Sequence, residues 1–222
     1  MKLLAIDTSE DACSAALLID DLVTEHFELA PRRHTELVLP MMDGLLNSAG
    51  LGLADLDALA FARGPGSFTG VRIAASIIQG AALGSGLPVV PVSSLQALAQ
   101  GACREYAATR VLSALDARMQ EVYTARFILS SGGLAHPDSV ERVCAPESIG
   151  PLEDMGAAGN GFERYAPLAE SGRDMPCCIA DCWPHAASVS RIAAGWLKEN
   201  EPLPADQAQP VYIRDKVADK PA

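Results

Sequence analysis

Positive charge is scarce in this sequence. Its 222 residues carry 17 Lys and Arg against 28 Asp and Glu, a formal net charge of −11. Nucleic-acid binding draws most of its affinity from cations on phosphates. With no Lys/Arg cluster, the chain is not expected to bind tRNA directly, nor to be the main RNA- or DNA-binding subunit of anything. Histidine is sparse too, limited to His26, His34, His136 and His185. His34-Thr35-Glu36 begins like a helical metal motif, but the residue four places after His34 is Val38 rather than a second ligand. Cys177, Cys178 and Cys182 lie near His185, yet no second Cys-x-x-Cys pair completes a zinc pattern. No metal is therefore expected, and the cysteines read as small apolar side chains. No apolar run is long enough to span a bilayer, and Asp7 interrupts the N-terminal apolar stretch too early for a signal peptide. The expectation is a cytoplasmic chain with no membrane partner.

What is present is a globular composition, 49% hydrophobic, at a length that suits one large or two small domains. The chain is organised around Ala62-Arg63-Gly64-Pro65-Gly66-Ser67-Phe68-Thr69-Gly70-Val71-Arg72. An apolar strand end precedes it and a helix-favouring run to Gly84 follows. The glycines permit sharp turning, and Ser67 or Thr69 can cap the helix. Strand, glycine loop and helix N-terminus together make either a tight β-α turn or an anion site. It is not a Walker loop, because Gly70 is followed by Val71 and Arg72. Nor does Ser67 have the second-glycine pattern of a nucleophile elbow.

On a helical wheel Arg72, Ser76 and Gln79 form a narrow polar stripe. Val71, Ala75, Ile78 and Ala82 form one apolar face; Gly70, Ala74, Ile77, Ala81 and Gly84 form another, mostly of small residues. Such a helix is covered on two sides. The second cover is either another helix of the same domain or a partner subunit.

Taken in order, Leu3–Ile6, Ala12–Ile19 and Leu22–Leu29 read as three strands at hairpin spacing, an antiparallel meander. Thr35–Ser48 reads as a helix with rows Leu37, Met41, Leu45 and Val38, Met42, Leu46. Gly50 is its stop, and Pro40 would be tolerated only in its first turn. Leu56–Ala62 and Pro88–Val92 read as strands, and Ser93 or Ser94 caps a helix to about Arg104. The second half begins near Thr109, with strands at Val111–Leu115, Glu121–Leu129 and Ser139–Cys144. Gly159-Asn160-Gly161 follows as a second glycine loop, then a helix over 185–199 and a Pro-rich polar tail from Glu201 expected to lie on the surface. The second half looks like a shortened copy of the first. The predicted fold is α/β, two lobes each with a mixed sheet flanked by helices, divided as 1–106, 107–200 and a tail 201–222. This wiring matches the ribonuclease H-like and actin-like ATPase folds. Asp7, at the end of the first strand, is a candidate for holding a metal or phosphate-bound cation, with Glu36 and Asp116 as candidate companions; the alternative is a turn cap.

The chain resembles the TsaB (YeaZ) family, paralogues of TsaD. The matching pieces are Leu4-Ala5-Ile6-Asp7-Thr8-Ser9, His34-Thr35-Glu36 with Leu39-Pro40, the 64–72 string, Asp116-Ala117-Arg118 with Glu121-Val122-Tyr123, and Pro210-Val211-Tyr212-Ile213-Arg214. They run in the family's order over nearly the whole chain, and Gly-Pro-Gly-Ser-Phe-Thr-Gly-Val-Arg is the most specific. The resemblance implies an actin-like ATPase fold and a role in making threonylcarbamoyladenosine next to the anticodon of tRNAs that read codons beginning with A. It implies TsaD as the partner that transfers the threonylcarbamoyl group, TsaE, an ATPase, joining through the complex, and a homodimer when alone. It implies no catalytic residues and no cofactor of its own, with ATP or ADP allowed at the complex interface. Asp7, Thr8, Gly64, Gly66, Ser67, Gly159 and Gly161 are the candidate nucleotide contacts. Leu37, Met41, Leu45, Gly70, Ala74, Ile77 and Ala81 are the candidate interface. The rival is a stand-alone ATPase or small-molecule kinase of this fold; a metallopeptidase is disfavoured by the absent ligands.

Overall fold

The computed structural model describes every residue except 151, 153, 174, 181 and 215–222. The first sheet opens with the expected meander: β1 (Lys2–Asp7), β2 (Ala12–Ile19) and β3 (Leu22–Leu29), antiparallel, with Asp7 opposite Ser14. After α1 (His34–Ala49) the chain returns as β4 (Ala58–Gly64), parallel to β1. Next come α2 (Phe68–Ser85), β5 (Val89–Ser93) and α3 (Ser94–Tyr106), giving the strand order β3-β2-β1-β4-β5. β1 and β4 are buried on both faces and so read as unbroken apolar runs.

One face packs Leu4, Ile6, Leu59 and Phe61 under α1 and α2. The other packs Leu3, Ala5, Ala60 and Val92 under Val189, Ile192 and Ala193 of a helix far along the chain. Each fully buried large side chain contributes about 1.5–3 kcal/mol.

The second sheet repeats the wiring. β6 (Arg110–Asp116) pairs antiparallel with β7 (Val122–Leu129), which carries β8 (Ala135–Pro137) and β9 (Arg142–Cys144). On the other side of β6 lie β10 (Gly156–Ala158) and β11 (Cys178–Ile179), both parallel. The orders β3-β2-β1-β4-β5 and β8-β7-β6-β10-β11 correspond, so the shortened copy is real. Two short helices, α4 (Gly161–Arg164) and α5 (Ala166–Gly172), follow β10, and α6 (Ala186–Trp196) follows β11.

Several expectations are corrected. β4 begins at Ala58, because buried Leu56 closes a 3₁₀ turn rather than entering the sheet. The strand expected over Ser139–Cys144 is only Arg142–Cys144; Ser139 instead accepts the Arg126 N–H through its hydroxyl, and a separate strand lies at Ala135–Pro137. Pro40 sits in the second turn of α1 on its exposed side, where water can take the carbonyl it frees. The first sheet lies before residue 107 and the second after it, while α6, from the later part of the chain, packs on β1 and β2. With α3, which touches both sheets, α6 forms a layer between the lobes.

The described part of the tail runs mostly exposed or half-buried along the surface but is tied down. Leu203 bridges to Val89 by two backbone hydrogen bonds, and Ala208 is buried in the core beneath α2. Residues 215–222 lie outside the described residues.

Candidate functional site

Asp7 of β1 and Asp116 of β6 stand at equivalent strand ends; Asp116 lines a cleft of about 660 Å³ between the lobes, while Asp7 is buried. Asp7 Oδ1 accepts both the Ser9 N–H and the Ser9 hydroxyl at 2.8 Å, a tight Asx turn. Thr8 donates its hydroxyl to Gly70 O at 2.7 Å, and the Ser67 N–H donates to Ser9 O at 2.7 Å.

The glycines make this contact. A Cβ on Gly66 would lie 2.3 Å from Ser9 O, and one on Gly70 would lie 2.0 Å from Thr8 O. Ser67 caps α2, its Oγ accepting the Gly70 N–H. The backbone of the β1–β2 turn therefore occupies the start of α2, a place that sequence alone left open to an anion.

Gly64, at φ 101°, lies under Val211 O, where a Cβ would sit 3.1 Å away. Gly159, at φ 116°, and Gly161 play the matching part in the second lobe: added Cβ atoms would meet Ala114 O at 2.2 and 3.0 Å. Of the seven candidate nucleotide contacts, only Gly66 and Ser67 line the cleft.

Burial pushes the Asp7 carboxyl up to about 7, against the opposing hydrogen bonds from Ser9 and the charge of His185. Its Oδ2 is buried with no hydrogen-bond partner. Burial pushes Glu10 up to about 8; a hydrogen bond from Asn160 opposes this, and the charges of Asp11, Asp7 and Asp116 add to it. Asp116 goes the other way. Burial would raise it, but the Tyr165 hydroxyl at 2.6 Å, the Arg118 N–H and the cations Arg118 and Arg164 hold it below the usual range. The protein itself thus silences two of the cleft's carboxyls, Glu10 by keeping its proton and Asp116 by its cations, and Arg72, Arg118 and Arg214 line the same cleft.

Glu36 does not join this set; it is exposed and pairs with Arg33. His34 is buried, with Nε2 at 2.8 Å from Glu10 O and 3.2 Å from Ala12 O, so it pins the β1–β2 turn as an Nε2–H donor. Val38 is fully buried in the core. Cys182 donates to Ile179 O, and His185 pairs with Glu25 at 2.9 Å and stacks on Phe27. Among the described residues no three His, Cys, Asp or Glu side chains are placed to hold a metal ion.

Of the candidate interface residues, Met41, Leu45, Gly70 and Ala74 are covered by the chain's own core, so they offer no surface. They face the first sheet because the α1 and α2 rows that look equivalent on a wheel lie on its inner side. Leu37, Ile77 and Ala81 stay half-exposed, beside exposed Leu83 and Gly84.

Two important residues, Glu10 and Arg214, were not singled out by sequence, and Asn160 was read only as part of the Gly159-Asn160-Gly161 loop of the rival nucleotide site. Asn160 donates from Nδ2 to Glu10 and accepts the Asp116 N–H on Oδ1, joining the lobes. Its position between two glycines at a strand end was the available signal.

Residues 26–154 match the family model described as TsaD: tRNA N6-adenosine threonylcarbamoyltransferase. The tRNA threonylcarbamoyladenosine biosynthesis protein TsaB of Escherichia coli is 43% identical, the alignment covering 98% of this chain and 96% of that protein. The protein of the same name from Haemophilus influenzae is 40% identical over 98% of this chain and 95% of its own length. The solved structure of YeaZ from Pseudomonas aeruginosa superimposes with a TM-score of 0.87 at 41% identity, covering 95% of this chain and 99% of that one.

Proposed function

The chain belongs to the TsaB (YeaZ) family, and on that premise we propose that it is a partner subunit, without a catalytic site of its own, in the assembly that forms threonylcarbamoyladenosine on tRNA. TsaD is the partner that performs the transfer, next to the anticodon of tRNAs reading codons that begin with A. TsaE joins through the complex, and the chain pairs with itself when TsaD is absent. The work takes place in the cytoplasm.

One observation supports this reading above the rest. Apart from Asp7 Oδ2, the polar groups at the two strand ends are engaged with the chain itself: Thr8 with Gly70 O, Asp7 Oδ1 with Ser9, Asp116 with Arg164 and Tyr165. A phosphotransfer site needs such groups aimed at where charge develops in the ligand. Here they fix each strand end to its own lobe instead. The net charge of −11 opposes direct capture of tRNA. Neither ATP nor ADP is therefore assigned to this chain alone; a nucleotide would sit where the complex completes a site.

ATP turnover by the purified chain and its gel shift with tRNA test this together. The expected result is neither turnover nor a shift at physiological salt. Steady hydrolysis lost on mutation of the 64–70 loop would establish the rival kinase or ATPase reading.

A further inference from the structure

The described part of the tail crosses the cleft and docks on a turn of unusual backbone. From its pairing with Val89 it passes beneath α2 and donates the Val211 N–H to Arg63 O at the end of β4. Tyr212 then accepts Arg72 Nε at 2.7 Å through its hydroxyl, and the Arg72 guanidinium lies 3.6 Å over the Phe68 ring. All of these contacts are with the first lobe. Two residues later Arg214 reaches the second lobe. It donates to Ala117 O at 3.1 Å and Arg118 O at 3.5 Å, and forms an ion pair with Glu121.

That turn, between β6 and β7, holds Arg118, Met119 and Gln120 at φ 62°, 54° and 59°. L side chains rarely adopt the left-handed region, and three in succession persist only where the surroundings over-determine them. The turn's own closure is thin: Ala117 N–H to Glu121 O and Glu121 N–H to Arg118 O. From outside, Arg214 fastens the Arg118 carbonyl of that closure, the adjoining Ala117 carbonyl and the Glu121 carboxylate, with its side chain largely buried.

We propose that residues 203–214 are a built-in clamp that sets the opening between the lobes, and that Arg214 is the positioning residue that holds the left-handed turn Arg118–Gln120 in place. The clamp ties through protein what a two-lobed cleft could otherwise open and close around. It also fixes where Met119 and Arg118, both exposed on the cleft wall, are presented. The inference concerns this chain's mechanics and stands whether or not the subunit role is correct.

Hydrogen exchange followed by mass spectrometry on the full chain tests it. Arg214→Ala removes every contact; Arg214→Lys keeps a cation for Glu121 but loses the planar guanidinium whose Nη2 meets both carbonyls while its Nη1 reaches Met119 Sδ. With the clamp as described, peptides holding the Ala117 and Glu121 amides exchange about tenfold faster or more in both variants, while β1 and β2 stay within about twofold of wild type. Two results overturn it: exchange at Ala117 and Glu121 that stays within about twofold of wild type in Arg214→Ala, or acceleration in Arg214→Lys that spreads equally over β1 and β2. The latter would make Arg214 a general stabilising contact.

Discussion

Asn160 joins the two lobes at a single carboxylate: its Nδ2 donates to Glu10 Oε2 across 3.3 Å while its Oδ1 accepts the Asp116 N–H at 2.8 Å. Asn160 is 2% exposed, so truncation leaves a backbone donor without its partner. Asn160→Ala is expected to cost about 1–3 kcal/mol, read as a fall in melting temperature of roughly 2–4 °C per kcal/mol for a chain this size. An unchanged melting temperature would mean that the link carries no load.

The pH dependence of stability follows from the buried carboxyls. Asp7, at about 7, and Glu10, at about 8, keep their protons in the folded chain where an unfolded carboxyl has lost them. The folded state then binds more protons, so stability falls as pH rises from about 4 toward 8. His185 acts in the same direction. Burial lowers its pKa, but the hydrogen bond and charge of Glu25 and the charge of Asp7 raise it more, so its contribution is lost as pH rises through its folded value. Asp116, held low, acts oppositely and only at acid pH. Thermal unfolding should show a higher melting temperature near pH 5.5 than near pH 8. Asp7→Asn, which cannot titrate, should flatten the slope; no single uncoupled group can supply more than about 1.4 kcal/mol per pH unit. A melting temperature that rises over this interval would refute the assignment.

Gly70 offers the sharpest steric test. Its Cβ would meet Thr8 O at 2.0 Å, a backbone atom of a buried strand end that cannot retreat without moving β1. Gly70→Ala should destabilise by more than about 2 kcal/mol, beyond ordinary overpacking at a yielding site. Gly80→Ala is the control on the same helix: nothing lies within 4 Å of its Cβ, so it should be neutral or slightly stabilising. Equal effects from the two would show that helix propensity, not the contact with β1, sets the glycine requirement.

The first three strands were legible nearly to the residue, because β1 and β2 are unbroken apolar runs and the turn at Asp20-Asp21 separates two eight-residue strands. The helix caps at Ser67, Ser93 and Gly50 were legible for the same local reason. The sheet partner of α6 was not. Its apolar face shows that it is covered, but only the tertiary fold decides that β1 and β2 cover it rather than the nearer second sheet. What the tail is tied to was hidden for a related reason. Proline and polar residues read as surface, while its contacts, Arg214 with Ala117 and Tyr212 with Arg72, span about a hundred residues or more of chain. Glu10 and Asn160 matter only as a pair, and no periodicity links positions 150 residues apart.

The helix α2 separates folding from association. Ala74 is fully buried against the first sheet and Ala81 is half-exposed. Ala74→Leu should therefore lower the stability of the single chain by about 1–3 kcal/mol. Ala81→Leu should leave the melting temperature nearly unchanged and weaken binding to TsaD if this face meets the partner, where a standard interface buries roughly 1,200–2,000 Å². Calorimetric titration of TsaD into both variants reads the difference. Normal binding by Ala81→Leu would remove this face from the interface.

The most direct test of the account is reconstituted transfer of the threonylcarbamoyl group to tRNA, with supplied threonylcarbamoyl-adenylate, using this chain and its TsaD alone and together. The account predicts no transfer by this chain alone and a large gain over TsaD alone when both are present. Transfer by this chain without TsaD, or a mixture no more active than TsaD by itself, would contradict it.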